Sequence, residues 1–213
     1  SYQEGKLMGC ISHHNLNDYI DKYKIEYYFE TGTGKGEALE YAARHSFKTC
    51  YTVDIDVDMV QYSYDKLKDI STCDIEFLVG KSTDILEEYV PQLPKESPIL
   101  FFLDAHFPGA DFQKCTYEES INEHKDDAVP LEEEINVILK NRDASKDVII
   151  IDDLMLYEDG KYDHLNLSSG QGWLQKEFGL EVNSKFLYEK FEKTHDFKKE
   201  LRSQGYLIIT PKL

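Results

Sequence analysis

Five short apolar runs, at residues 25–30, 50–54, 75–79, 99–104 and 148–152, each close on a polar or acidic residue. Helix-period patterns at 36–44, 59–68, 83–89 and 131–141 alternate with them. An unbroken apolar run is what a strand covered on both faces looks like, because neither face meets water. Strand and helix in alternation predict an α/β fold, a doubly wound, Rossmann-like and mostly parallel sheet. The tail at 186–211 offers two more strands, 206–210 being the clearer, which would close a seven-stranded sheet as a C-terminal antiparallel pair. With 213 residues the chain suits one such domain and is short for two. The expected division is an N-terminal helical cap (1–24, helical up to residue 23), a core carrying the chemistry (25–155), and a substrate loop with the antiparallel strands (156–213). Segments 107–129 and 154–172 show no clear period and are expected to be lids or binding loops. The first residue is Ser1, as expected of a segment excised from a longer protein.

Charge narrows the partners. Against 24 Lys and Arg stand 41 Asp and Glu, a net charge of −17. Binding to nucleic acid draws on released counterions and needs a basic footprint, which this chain lacks, and anionic membranes repel it as well. No nucleic-acid partner and no membrane insertion are expected, since no run of eighteen apolar residues occurs either. Cys10, Cys50, Cys73 and Cys115 form no Cys-x-x-Cys pair, and reduced thiols in a cytoplasmic compartment are the expectation.

The first apolar run enters Glu30-Thr31-Gly32-Thr33-Gly34-Lys35-Gly36. A strand followed by closely spaced glycines builds a nucleotide-binding turn, but the spacing is Gly-x-Gly-x-Gly and an acidic residue opens it. A carboxylate there disfavours pyrophosphate and favours a cation. The expected cofactor is adenosyl-bearing, cationic and free of phosphate, which describes S-adenosylmethionine. Ligands of open α/β sheets sit outside the carboxyl ends of the strands, so Asp54 is placed to accept from ribose hydroxyls and Ile55 to face adenine. Lys81 and Ser82, after the third strand, are placed at the adenine edge, where Ser82 can equally cap the next helix. Asp56 and Asp58 read as turn and cap residues.

The fourth strand ends in Asp104-Ala105-His106 and the fifth in Asp152-Asp153. Unpaired carboxylates gathered at neighbouring strand ends repel one another, and all-oxygen ligation of a divalent cation, Mg²⁺ or Mn²⁺, relieves this. The expected metal set is Asp104, Asp152 and Asp153, with His106 or Asp104 as the base that takes a hydroxyl proton; the alternative for His106 is a hydrogen bond to a carboxylate or a place among the metal ligands.

Glu30 to Gly36, then Asp54-Ile55-Asp56, then Gly80-Lys81-Ser82 resemble, in order and spacing, the first three motifs of class I S-adenosylmethionine-dependent methyltransferases over residues 25–155. Lys81 departs from that pattern, where an acid is common. Asp104 with the Asp152-Asp153 pair is similar to the metal-dependent sugar O-methyltransferases that act on deoxysugars of macrolides and aminocoumarins. Leu103 to His106, followed by Pro130-Leu131-Glu132-Glu133-Glu134, is also similar to bacterial and viral methyltransferases of glycan synthesis. A further resemblance is to the methyltransferase domain of a chlorovirus enzyme that also carries glycosyltransferase domains. It implies O-methylation of a sugar or glycan hydroxyl, rhamnose-type, by a chain fused to glycosyltransferase domains and working in host cytoplasm.

Other readings stay open. Asp104-Ala105-His106 resembles the Asp-Ala-His-x-Asp of arginase-like hydrolases, but position 108 is Pro, and the glycine turn is left unexplained. An adenosyl-binding module without activity, and methylation of catechol-type phenols, are the alternatives. The polar residues Lys114, Thr116, Glu118, Asn122, Asp163, Asn166, Ser168 and Ser169 in the long segments favour a hydroxyl-rich acceptor. His13 and His14 are expected to be solvated, Glu132 to Glu134 to complement a helix dipole, with contact of one of them to metal or substrate as the alternative, Tyr157 and His164 to offer sugar-stacking faces, and Trp173 to pack in the core.

Overall fold

In the computed structural model, which describes residues 10–163, 174–175 and 178–213, the apolar runs become β1 (Tyr27–Thr31), β2 (Thr49–Asp54), β3 (Asp74–Val79), β4 (Ile99–Leu103) and β5 (Val148–Ile151). Strands β6 (His195–Glu200) and β7 (Tyr206–Pro211) follow, and the order across the seven-stranded sheet is β3-β2-β1-β4-β5-β7-β6. The first five strands pair in parallel, and β7 is antiparallel to both β5 and β6. The chain reverses its direction of travel across the sheet between β1 and β4, where a crevice opens.

Alternation along each strand sends side chains to two layers. Phe29, Phe101, Leu103, Ile149, Ile151, Leu207 and Ile209 pack with residues of α4 (Ser82–Tyr89), α6 (Leu131–Asn141) and α7 (Lys185–Phe191). Tyr28, Leu100, Phe102, Val148, Ile150, Tyr206 and Ile208 pack with α1 (Leu16–Tyr23), α2 (Glu37–Ala42) and α3 (Val57–Leu67). Both faces are therefore covered, as the unbroken apolar strands require.

Three segments differ from the sequence reading. The N-terminal stretch is not one helix: a 3₁₀ turn, Ile11–His13, is followed by α1, with the Asn15 side chain accepting from the Asn17 amide at the break. The segment 107–129 contains α5 (Tyr117–His124), started by a capping box in which Thr116 and Glu119 satisfy each other's backbone amides. The tail at 186–211 opens within α7, and its first strand is β6, where charged residues alternate with Phe197 instead of forming an apolar run. Among the described residues no helix is long and apolar enough to cross a membrane.

Candidate functional site

The turn after β1 is pressed against the end of β4. Gly32 has φ +83°, and a Cβ there would lie 2.5 Å from the Asp104 carbonyl oxygen, so both the conformation and the contact require glycine. The Gly34 amide donates to Asp54 Oδ2 at 3.0 Å, and Asp54 Oδ1 accepts from the Asp56 amide at 2.9 Å, which ties the turn to the end of β2. Asp56 caps α3 by accepting from the Asp58 amide and pairs with Lys114. The Phe112 ring lies over Gly34, 2.8 Å from where a Cβ would stand. Gly36 begins α2 with φ +71° beside Ser63. Ile55 follows Asp54 half-buried; Lys81 is exposed and pairs with Asp127 at 2.8 Å; Ser82 opens α4.

Glu30 behaves differently from the sequence reading. Its side chain is fully buried, accepting from the Tyr28 hydroxyl and from Thr52 Oγ1, both at 2.7 Å. Thr52 Oγ1 in turn meets Thr33 Oγ1 at 2.7 Å, so Glu30 braces the glycine turn from beneath. Burial raises its pKa to about 8 against the pull of those hydrogen bonds, and the group is largely a neutral carboxylic acid at pH 7. Thr31 is buried, with no hydrogen-bond partner for its hydroxyl.

Next to this turn lies the acidic group. Nε2 of His106 stands 2.5 Å from Asp153 Oδ2 and 3.2 Å from Asp104 Oδ1, and Nδ1 stands 3.5 Å from Asp111 Oδ2. Asp153 reaches the imidazole because its backbone is left-handed, φ +53°, a conformation that costs a non-glycine residue energy and turns the chain back over the strand ends. Ligand atoms of Asp104, His106 and Asp153 all lie within 4.8 Å of one another. Asp152 is not in that group: it is buried, and its Oδ1 accepts from the Asp153 amide at 2.8 Å. The structure thus unites Asp104 and Asp153 from the expected metal set, adds His106, and keeps Asp152 as the neighbour that shapes the turn.

The electrostatics are those of crowded carboxylates around one imidazole. Burial, then the charges of Asp104 and Asp153, hold the Asp152 carboxyl well above its usual range, and burial raises Asp104 to about 7. Burial opposes a charge on His106, but Asp153, with Asp104 and Asp111, outweighs it and holds the imidazolium well above the ordinary histidine value. His106 supplies the positive charge the carboxylates lack. Oδ1 of Asp153 is buried with no hydrogen-bond partner. Two carboxylates and one imidazole are a donor set suited to a divalent transition metal.

Sequence reasoning missed several neighbours. Glu134, read as a dipole complement, is 1 % exposed, with no hydrogen-bond partner for its Oε1, and burial raises its pKa to about 7; Ser82, Thr31, His106 and Asp104 are the groups acting on it. Its position in the fourth place of α6, one turn from the apolar Leu131 and next to Ile135, was the available signal. Asp111 sits on the 3₁₀ turn Ala110–Phe112 and accepts from the Tyr117 hydroxyl. His14 is buried rather than solvated, its ring edge-on to Tyr206, and His13 Nδ1 meets the Tyr206 hydroxyl at 2.7 Å. Tyr206, which feels the charges of Asp152 and Asp153, also accepts from the Cys10 amide at 2.8 Å, so Cys10 to His14 lie at this end of the sheet. Tyr157 is buried, whereas His164, Asn166, Ser168, Ser169 and Trp173 lie outside the described residues.

No sequence-family model matches the chain, and no curated protein matches it in sequence. Solved structures match its fold. The O-methyltransferase TomG from Streptomyces achromogenes, involved in tomaymycin synthesis and bound to S-adenosylmethionine, superposes with a TM-score of 0.56 at 14 % identity, covering 93 % of this chain and 78 % of that one. An O-methyltransferase from Bacillus cereus bound to S-adenosylhomocysteine gives a TM-score of 0.55 at 13 % identity, covering 92 % and 79 %. The chain has the Rossmann-like fold of these S-adenosylmethionine-dependent O-methyltransferases.

Proposed function

We propose that the chain is an S-adenosylmethionine-dependent O-methyltransferase acting on a sugar or glycan hydroxyl, of rhamnose type, with help from a divalent cation. One observation carries the reading: the glycine turn of the adenosyl site touches, at Gly32, the backbone of Asp104, whose carboxylate belongs to the His106 and Asp153 group. A donor pocket and a cation pocket in contact are what transfer to a hydroxyl requires. The turn from Thr31 to Gly36, with Asp54, Ile55, Lys81 and Ser82, would hold the adenosyl group. Asp104 and Asp153, with His106, would hold the cation, and the nitrogen donor favours Mn²⁺ over Mg²⁺. When bound, the pair supplies the methyl group and Lewis acidity towards the acceptor oxygen.

The chain's own residues do the rest. Of His106 and Asp104, the one left off the cation would take the hydroxyl proton, His106 only after losing the proton that Asp153 and Asp104 stabilise on it; Asp153 holds the imidazole at Nε2, and Asp111 lies 3.5 Å from Nδ1. Lys114, Thr116, Glu118 and Asn122, in the segment that follows His106, are polar groups that would suit a hydroxyl-rich ring. Fusion to glycosyltransferase domains, in the cytoplasm, belongs to this reading as the setting in which such an acceptor is made.

A second acceptor class has an observation in its favour. The rings of His106 and Phe107 are 5.5 Å apart, and those of Phe107 and Tyr117 are 5.1 Å apart, an aromatic cluster beside the acidic group that would suit a catechol-type phenol. One experiment decides: incubate the protein with methyl-labelled S-adenosylmethionine and Mn²⁺, with and without chelator, against panels of deoxysugars, glycans and catechols. Chelator-sensitive label on a sugar supports the proposal. Label on phenols alone moves the acceptor class, and cofactor binding without any transfer makes the chain a non-catalytic adenosyl-binding module.

A further inference from the structure

At the far edge of the sheet, away from the glycine turn, Cys50 and Cys73 bring their sulfurs to 3.4 Å, in hydrogen-bond contact. Cys50 belongs to β2 and is fully buried among the residues that pack with Tyr28 and Leu39; Cys73 immediately precedes the edge strand β3 and is half-buried. Cys50 thus lies on β2 and Cys73 just ahead of its parallel neighbour β3, one residue buried and the other half-buried. The segment before Cys73 is held in place: the Ser71 hydroxyl donates to the Cys73 carbonyl at 2.8 Å, accepts from the Cys73 amide at 3.3 Å, and lies 3.9 Å from its sulfur.

We propose that Cys50 and Cys73 form a dithiol site oxidised reversibly by hydroperoxides, which staples the edge strand β3 to β2. Cys73 is the attacking sulfur, because it is the accessible one and because the Cys50 thiol, then the Ser71 hydroxyl, pull its pKa down to about 7 against burial. Cys50, in contact with Cys73 and buried, is held far above the ordinary thiol range and serves as the resolving partner. The Cys73 thiolate attacks one peroxide oxygen, the O–O bond breaks, and the leaving oxygen takes the proton that Cys73 gave up. The resulting sulfenic acid loses its hydroxyl as water, together with the Cys50 proton, as the S–S bond forms. Two electrons pass from the sulfur pair to the peroxide; with hydrogen peroxide the products are one disulfide and two waters.

The remaining thiols are placed differently: Cys115 points its sulfur at the Pro108 carbonyl, 3.5 Å away, and burial raises its pKa. The strand β3 has a neighbour on one side only, and alternate residues of it are exposed, so a covalent link to β2 adds most where the sheet is weakest.

The test is to expose the protein to one equivalent of hydrogen peroxide, cap residual thiols with iodoacetamide, and map peptides without reductant. The proposal predicts a Cys50–Cys73 cross-linked peptide, an intact mass lower by about 2 Da before capping, and full reversal by dithiothreitol. Titratable thiols fall from the four of the reduced chain to about two. In Cys50→Ala, a dimedone-reactive sulfenic acid should accumulate at Cys73; Cys115→Ser should oxidise as the parent does. Capping of Cys50 and Cys73 as intact thiols in the parent, no dimedone adduct at Cys73 in Cys50→Ala, or preferential consumption of Cys10 or Cys115 would each overturn it.

Discussion

Nε2 of His106 and Oδ2 of Asp153 are 2.5 Å apart, so the single imidazole at the ends of β4 and β5 occupies the place where a cation would balance the carboxylates. That contact depends on two adjoining features, the left-handed backbone at Asp153 and the short spacing between Asp104 and His106. It makes the group either a proton-holding ion pair or, on surrendering that proton, a ligand set.

His106→Ala removes the group proposed as base or cation ligand while leaving the glycine turn untouched. Turnover should fall by roughly 10²- to 10⁴-fold, and S-adenosylhomocysteine affinity should change by less than about three-fold, a tenfold change being worth about 1.4 kcal/mol. Single-turnover methyl transfer and calorimetric binding measure the two. Equal loss of both would place His106 in the adenosyl pocket instead.

Gly32 and Gly36 separate two kinds of glycine. At Gly32 a methyl group meets the rigid carbonyl of Asp104, and at Gly36 it meets the movable Ser63 hydroxyl, both with positive φ. Gly36→Ala should cost about 1–3 kcal/mol, the strain of the left-handed backbone, and Gly32→Ala measurably more, with cation affinity lost as Asp104 shifts. Urea denaturation of the two variants beside the parent provides the comparison.

Glu30 links stability to pH. Its folded-state pKa is raised, from 4.5 to about 8, so the folded protein holds this proton more tightly than the unfolded chain. Its contribution is fully present below pH 4.5 and is lost as pH rises towards 8. Asp104 and Glu134, also raised by burial, act in the same direction. Glu30→Gln keeps the acceptor for Thr52 and removes the titration, so the decline in Tm between pH 5 and 8 should become shallower. An unchanged slope would assign the linkage to the other acids.

Arg142 and Asp147 form a buried ion pair, 2.7 Å from Nε to Oδ2, with the Ile99 amide donating to Oδ1 of the same aspartate. Removing one partner strands the other in the core, so Arg142→Met should cost about 3–5 kcal/mol. Because the pair sits at the start of β4 and β5, opposite the site, adenosylhomocysteine affinity of the folded fraction should not change. Chemical denaturation and binding at low temperature distinguish the two effects.

The sequence announces the sheet because burial on both faces leaves no polar alternation: Ile99 to Leu103 and Val148 to Ile151 are wholly buried runs. It hides β6, where exposed Asp196, Lys198 and Lys199 interrupt the pattern, and α5, whose polar composition conceals a helix that its Thr116 and Glu119 cap nevertheless specifies. At the site, the acids after β4 and β5 are legible as types in a spacing. Which of two adjacent aspartates meets His106 is set by one backbone angle at Asp153, and no residue type encodes that. The burial of Glu30 and Glu134 is not legible for one reason: a carboxyl written beside glycines or at a helix start carries no sign of the long-range packing that buries both.

The most direct measurement is anomalous diffraction from crystals grown with Mn²⁺ and S-adenosylhomocysteine. The account predicts one manganese peak about 2.0–2.3 Å from Asp104, Asp153 and His106, with the adenosyl group lying along the turn from Thr31 to Gly36. An empty cluster with His106 still paired to Asp153, or manganese bound elsewhere while the adenosyl group occupies the turn, would contradict it.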